Sequence, residues 1–256
     1  MWYPSIDEMP ANPPLWLRRR RRVRIMLAVF RVLIALLFLG GLIAWCSPPA
    51  HAGQIPAAAH QYQRDLTRMA QQEFGLAAPV ALFAAQIHQE SAWRPDARSP
   101  YAYGLAQFTP DTAAWIVEAY PDLYTTREAE AAPGGENPAG VGAAPYSPTW
   151  AMRAMLRYNK HLLDRVKPWY ARDVPRCDRW AFALAGYNGG PGWLPRDRRL
   201  AYAGGADPDL WWGHVEHYTA RADWAREENR GYPRRILWDL EPRYLQAGWH
   251  GRQTCH

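Results

Sequence analysis

The apolar residues of this sequence recur at intervals of three and four, and no segment alternates apolar and polar residues as a half-buried strand does. This spacing predicts helices and excludes a β-sheet as the framework of the fold. The predicted helices cover residues 59–74, 78–91, 110–119, 148–166, 178–188, 209–227 and 233–247. The fold class is therefore predicted to be all-α.

Positive charge is concentrated in the first 52 residues, which hold seven arginines against Asp7 and Glu8. These residues account for most of the net charge of +6 of the 256-residue chain. The remainder is nearly neutral, so it offers no basic face for phosphates, and nucleic acid is not expected as a partner.

The arginines precede an apolar run at 32–45, which ends shortly before a small-x-small site at 50–52. This order is typical of a secretory signal that is cleaved after Ala52. An alternative is an uncleaved inner-membrane anchor over 25–45, and Met26 is an alternative start. We therefore expect an export segment at 1–52 and a single exported domain at 53–256, located in the periplasm or cell envelope.

Three cysteines are present, and export would leave Cys177 and Cys255 in the mature chain. An oxidising compartment permits these two to pair, and we expect a disulfide, with two free thiols as the alternative. The cysteines and the eight histidines show no metal-ligand spacing, so neither a metal nor a cofactor is predicted.

One acidic residue continues an apolar helical stripe where a polar face would be its usual place. Val80, Phe83 and Ile87 precede Glu90 at steps of three and four. A carboxyl group on such a face loses hydration, which raises its pKa and keeps it protonated near neutral pH. This placement predicts a general acid, although a glutamate that frays into solvent is the more common case.

Three other stretches stand out in the chain. The first, YGLAQF at 103–108, is a turn in which backbone can approach a ligand closely. The second, AGYNGG at 185–190, ends an apolar helix, and the third, NRGYPRRIL at 229–237, is interpreted as a helix start at Pro233. Each stretch alone is weak evidence of function.

Together with Glu90-Ser91, and in this order, these stretches resemble the soluble lytic transglycosylase family, which shares the goose-type lysozyme-like fold. The resemblance covers roughly residues 57–245. It departs from the family pattern at Tyr101, Ala106 and Gly186, none of which replaces a group with a chemical role. The residues that match the family motifs are Glu90, Ser91, Ser99, Gly104, Leu105, Gln107, Tyr187, Asn188 and Tyr232.

The resemblance implies that Glu90 acts on peptidoglycan as both acid and base. It would protonate the oxygen between N-acetylmuramic acid and N-acetylglucosamine and then deprotonate the C6 hydroxyl, closing a 1,6-anhydro ring without water. Tyr232 and Gln107 would hold Glu90 by hydrogen bonds. Ser99 would face the substrate, and Asn188 with the backbone near Tyr187 would bind an acetamido group.

Two alternatives to this reaction stay open. A hydrolytic muramidase of the same fold needs a second carboxylate, for which Asp96 is the nearest candidate, although a solvated turn is the stronger interpretation of Asp96. A non-catalytic envelope or secretion component would bind glycan strands without using the acid. The sequence identifies no secretion, conjugation or phage machinery as a partner.

Overall fold

The structure is a computed structural model that describes residues 55–123 and 144–255. The basic region, the apolar run and the cleavage site predicted at 1–52 lie outside these residues. Within the described ranges, none of the helices is both long and apolar enough to cross a membrane.

Helices dominate the part of the chain that the structure describes, and it contains no strand. Two isolated bridges, Arg98 with Tyr103 and Tyr103 with Phe108, close the turn between the second and third helices. The all-α prediction is therefore confirmed. In chain order the helices are α1 (Ala59–Phe74), α2 (Val80–Ser91), α3 (Pro110–Ala119), α4 (Pro148–Arg165), α5 (Arg176–Gly189), α6 (Leu194–Ala203), α7 (Asp223–Arg234) and α8 (Glu241–Gln246).

Helix α2 lies at the centre of the fold. It contacts α1, α8 and the π-helical segment Arg235–Leu240 that joins α7 to α8, while α5 packs against α4 and α7. Every residue of α2 from Val80 to Ile87 is buried, so the helix is enclosed on all sides. The apolar stripe that leads to Glu90 is buried as predicted, but it is only part of the buried surface.

The helix predicted at 209–227 is wrong. In its place the chain makes turns, a short 3-10 segment at Val215–His217 and, from Asp223, the start of α7. The backbone N–H groups of Trp211 and Trp212 donate to the Asp178 carboxylate, at 2.7 and 3.1 Å. Gly213 has a positive φ of 74° and Tyr218 is extended, with φ −114° and ψ 118°, so the backbone cannot continue as one helix through these residues.

The helix start predicted at Pro233 is also wrong, because Pro233 lies inside α7 and Tyr232 precedes it on the same helix. A proline removes one helical hydrogen bond and crowds the preceding turn, which disturbs a helix without always ending it. Here the chain continues directly into the wider turn of the π-helical segment. Helix α6 was not predicted; its buried apolar positions are few, with Leu194 and Ala201 at its two ends.

A disulfide joins Cys177 in α5 to Cys255, with a Cα–Cα distance of 4.8 Å, which confirms the expected pairing. The buried Glu241 carboxylate holds the same C-terminal segment, because it accepts hydrogen bonds from the backbone N–H and hydroxyl of Thr254 at 3.2 and 2.7 Å. The C-terminal residues are thereby attached to both α5 and α8.

Candidate active site

Glu90 lies one residue before the end of the central helix α2, and its side chain lines a cleft of about 290 Å³. The chain leaves the helix through two residues with left-handed backbone, Ala92 at φ 50° and Trp93 at φ 66°. Such non-glycine conformations are costly and are concentrated at functional sites. They turn the chain sharply away, which leaves Glu90 at the cleft wall.

Burial raises the pKa of Glu90 to about 8. The hydrogen bond from Tyr232 acts in the opposite direction, and the negative charge of Glu228 adds to the rise. The carboxyl group is therefore mostly protonated at neutral pH. Its place at the C-terminal end of a helix, where the helix dipole is negative, also disfavours the charged form.

Two tyrosines stand beside this acid. The Tyr232 hydroxyl donates a hydrogen bond to Glu90 Oε1, and the Tyr232 ring stacks on that of Tyr187, with centroids 6.4 Å apart and planes 6° from parallel. The Tyr187 hydroxyl donates to the Ala106 carbonyl at 2.8 Å. Burial raises the pKa of both phenols well above their usual value, so they remain neutral donors.

The turn at 97–108 forms another wall of the cleft, and the side chain of Gln107 holds it together. Its Nε2 donates to the carbonyls of Ala97 and Gly104, at 3.2 and 2.9 Å, from a backbone with φ 47°. The hydrogen bond expected from Gln107 to Glu90 is not among the contacts of the described residues, so that part of the prediction is wrong. Gln107 lines the same cleft but fixes the loop.

Ser99, which the resemblance to the family places against the substrate, also lines the cleft. Its hydroxyl accepts from the backbone N–H of Ala102 at 2.9 Å, which leaves the Ser99 side chain at the loop surface. Ser91, the partner of Glu90 in the sequence motif, is buried and donates to the Leu105 carbonyl at 2.9 Å. Ser91 therefore attaches the end of α2 to the turn.

Asn188 lies at the cleft next to the end of α5. Its Oδ1 accepts a hydrogen bond at 3.1 Å from Nδ2 of Asn229, which also donates to the Ala185 carbonyl at 2.8 Å. Asn229 is buried, and it thus orients Asn188 from the neighbouring helix α7. The structure brings Glu90, Ser99, Gln107, Tyr187 and Asn188 to one cleft, with Tyr232 behind Glu90.

Sequence reasoning missed two residues of this site. Glu228 in α7 lines the cleft with Glu90 and brings a second carboxylate to it, whereas Asp96 is exposed and does not line the cleft. Gln86, one turn before Glu90, is buried and accepts a hydrogen bond from Asn159 Nδ2 at 2.8 Å. The position of Glu228, four residues before Tyr232, was the available signal, because residues at this spacing share a helix face.

A larger cavity, of about 790 Å³, lies elsewhere, between α1, α4 and the start of α5. It contains none of the motif residues. No cluster of His, Cys, Asp or Glu in the described residues has the size needed to hold a metal ion. The smaller cleft at Glu90 is therefore the site with an acid in a chemically useful state.

The comparison with known families agrees with this geometry. Residues 65–132 match the family model of the transglycosylase SLT domain, a segment that includes Glu90, Ser99 and Gln107. This match confirms the resemblance to the family that the motifs predicted. Tyr187, Asn188 and Tyr232 lie beyond the matched segment.

Several curated relatives are named membrane-bound lytic murein transglycosylase F. The chain is 34% identical over 156 residues to the one from Marinobacter nauticus, covering 60% of this chain and 26% of the relative. It is 29% identical over 186 residues to the one from Vibrio cholerae, with coverage of 65% and 30%. For transglycosylase F 1 of Alkalilimnicola ehrlichii the identity is 28%, with coverage of 72% and 31%. The chain thus spans less than a third of each relative.

Proposed function

We propose that this protein is a peptidoglycan lytic transglycosylase that cleaves the β-1,4 bond between N-acetylmuramic acid and N-acetylglucosamine without water. The observation that carries the proposal is the state of Glu90, a cleft carboxyl whose pKa burial raises to about 8. Such a group is a proton donor at neutral pH and becomes a base once it has given up its proton. The SLT domain and the names of the relatives support the same reaction.

In the proposed reaction Glu90 protonates the glycosidic oxygen, and the bond from this oxygen to C1 of the muramoyl sugar breaks, so that N-acetylglucosamine leaves with the proton. The acetamido group of the muramoyl sugar stabilises the positive charge that develops at C1. The Glu90 carboxylate then removes the proton of the sugar's own C6 hydroxyl, and the C6 oxygen closes the 1,6-anhydro ring. Tyr232 keeps the carboxyl in place through its hydrogen bond during both proton transfers. One residue thus serves both halves of the reaction.

The other cleft residues have positioning and binding roles in this proposal. Ser99 and Asn188 face the glycan, and Asn188 with the backbone near Tyr187 holds an acetamido group. Tyr187 and Gln107 maintain the cleft wall, because each donates to a carbonyl of the turn at 97–108. The domain is proposed to be 53–256, exported by the 1–52 segment to the periplasm or envelope, with glycan strands as its partner. The relatives' names, which include the word membrane-bound, support an envelope location.

Hydrolysis to a reducing end is the second candidate, and Glu228 is the observation that favours it. Glycosidases that hydrolyse their substrate commonly use a pair of carboxylates, one of them to activate water or to attack the sugar. Glu228 lines the cleft of Glu90 and is exposed, so it is available as a base. The products of the two reactions differ by one water molecule.

The test is mass spectrometry of the muropeptides that the purified protein releases from sacculi. The proposal expects 1,6-anhydro-muramoyl ends, and reducing ends would assign the protein to the hydrolytic class. A Glu228→Gln variant separates the two further, because it keeps activity under the transglycosylase proposal and loses it if Glu228 activates water. No release by a folded wild-type protein would contradict both candidates.

A further inference from the structure

The cleft at Glu90 does not end at the residues described above. A second cavity of about 440 Å³ adjoins it, and Thr112 and Tyr158 line both. Because the two cavities share these walls, they are direct neighbours, and a linear polymer bound at Glu90 can extend toward the second one. The remaining residues of the second cavity are Asp111, Trp115, His161, Arg165 and Pro191.

Trp115 is the aromatic surface of this second cavity. Trp115 is 36% exposed, and its ring contacts those of Tyr120, Tyr158 and His161, with ring centroids 5.8, 5.7 and 4.9 Å away. All three contacts are edge-on, with interplanar angles of 61–88°. The indole is therefore fixed by its neighbours while part of it stays accessible from the cavity. A fixed aromatic surface of this kind binds an apolar ring face at little entropic cost.

The polar groups around Trp115 match those of a neutral sugar. Arg165 is exposed, and its guanidinium makes no hydrogen bond with the described residues, so this group can donate to a ligand. Asp111, in the first turn of α3, lies in the same cavity and supplies an acceptor. A ligand with hydroxyl and amide groups matches such a donor and acceptor pair, because it can accept from Arg165 and donate to Asp111 at once.

From the shared walls, the fixed indole and this mixed polar rim, we infer that the second cavity is a saccharide subsite, in which Trp115 stacks on a pyranose ring of the same glycan strand that Glu90 cleaves. The inference rests on the proposed function for the identity of the strand. It adds a determinant of substrate length, because only an oligosaccharide long enough to leave the catalytic cleft reaches Trp115.

The test measures binding of N-acetylglucosamine oligomers of two lengths, the trimer and the hexamer, by calorimetry. It uses the full chain carrying Glu90→Gln, so that no turnover interferes. We expect the hexamer to bind more tightly than the trimer, and Trp115→Ala to reduce the hexamer-to-trimer affinity ratio by about tenfold, in line with the loss of one aromatic stacking contact. Trp115→Tyr keeps an aromatic face and should restore most of the ratio.

Trp238→Ala is the matched control, because Trp238 has a similar exposure of 42%, an edge contact to Trp212, and no place in either cavity. It should leave the ratio unchanged. If Trp115→Ala lowers the affinity for both oligomers by the same factor, the role of Trp115 is structural, through Tyr158, and the inference is overturned. An unchanged affinity ratio, or no binding of either oligomer by the Glu90→Gln protein, would overturn it as well. Release of anhydro ends from sacculi by the wild-type protein is scored separately, so the proposed function stands or fails on its own result.

Discussion

Glu90 combines two properties at the residue scale, a place in a cleft and an environment that favours its neutral form. Glu90→Gln keeps the shape of the side chain but cannot transfer a proton. Because positioned acid-base groups contribute about a hundredfold to ten-thousandfold in rate, release of muropeptides should fall by that factor while the thermal transition stays cooperative. Asp96→Asn is the control, since Asp96 is exposed and outside the cleft, and it should keep most activity. An active Glu90→Gln protein would contradict the assignment.

Two neighbours shift the pKa of Glu90 in opposite directions, so removing each of them should shift the pH dependence of the rate in opposite directions. The Glu90 acid must be protonated to start the reaction, so kcat/KM should fall as pH rises through about 8. Tyr232→Phe removes a hydrogen bond that lowers the pKa and should move this fall to higher pH. Glu228→Gln removes a negative charge that raises the pKa and should move it to lower pH. Rate profiles between pH 6 and 10 measure both shifts, and shifts of the same sign would contradict the environment described.

The sequence predicted Glu90 because its neighbours on the helix, Val80, Phe83 and Ile87, are apolar, and helical spacing is a local property. It did not predict Glu228, nor the Gln86–Asn159 contact, because these depend on how α7 and α4 pack against α2. The assumed bond from Gln107 to Glu90 failed for a related reason. The side-chain amide of Gln107 donates instead to backbone carbonyls of its own turn, which are the nearest acceptors.

At the element scale, the turn at 97–108 depends on one glycine. Gly104 has φ +75°, and a Cβ there would lie 1.7 Å from the Pro145 carbonyl oxygen. Gly104→Ala should destabilise the protein by about 2–5 kcal/mol, because the clash adds to the strain of the backbone conformation. Gly213→Ala is the matched control, since φ is +74° and nothing lies within 4 Å, so it carries the backbone strain alone. Urea unfolding measures the free energy of unfolding of both variants. An equal decrease in the two would show that the clash with Pro145 does not contribute.

Elements whose ends carry local signals were predicted well, and elements fixed by distant partners were not. α3 and α4 begin with Pro after Thr109 and Ser147, whose side chains accept from Thr112 and Trp150 as N-caps, and both starts were found. Between α6 and α7 the backbone is set instead by the Asp178 carboxylate and by Arg230, which donates to the Glu216 and Tyr218 carbonyls. Contacts of that kind have no local sequence pattern, so a helix was predicted there in error.

At the scale of the whole molecule, the disulfide closes a long loop around the site, since 78 positions separate Cys177 from Cys255. Restricting a loop of this length in the unfolded chain stabilises the native state by about 4 kcal/mol. For a domain of this size that corresponds to a fall in Tm of about 10 °C in a Cys177→Ser/Cys255→Ser variant. Reductant should lower the Tm of the wild-type protein similarly and leave the variant unchanged. Equal Tm values for wild type and variant under oxidising conditions would contradict this contribution.

The stability of the whole fold should also depend on pH, through two carboxyl groups, that of Glu90 in α2 and that of Glu241 in α8. Burial raises the pKa of Glu90 to about 8 and that of Glu241 to about 7. Between their usual value of 4.5 and these values the folded protein binds more protons than the unfolded chain, so the free energy of unfolding falls as pH rises.

Two histidines act in the other direction over part of that range. Burial lowers the pKa of His88 to about 4 and also lowers that of His161, so both increase stability as pH rises toward 6.5. Above about pH 6.5 the histidines of the unfolded chain are increasingly neutral as well, so the carboxyl effect outweighs theirs between about pH 6.5 and 8. In that window the Tm of the wild-type protein should fall as pH rises, and a Glu90→Gln/Glu241→Gln variant should lose most of the fall because an amide does not ionise. Calorimetry at pH 6.5, 7.2 and 8 measures this slope, and a wild-type Tm that rises across the window would contradict the burial of these two acids in their neutral form.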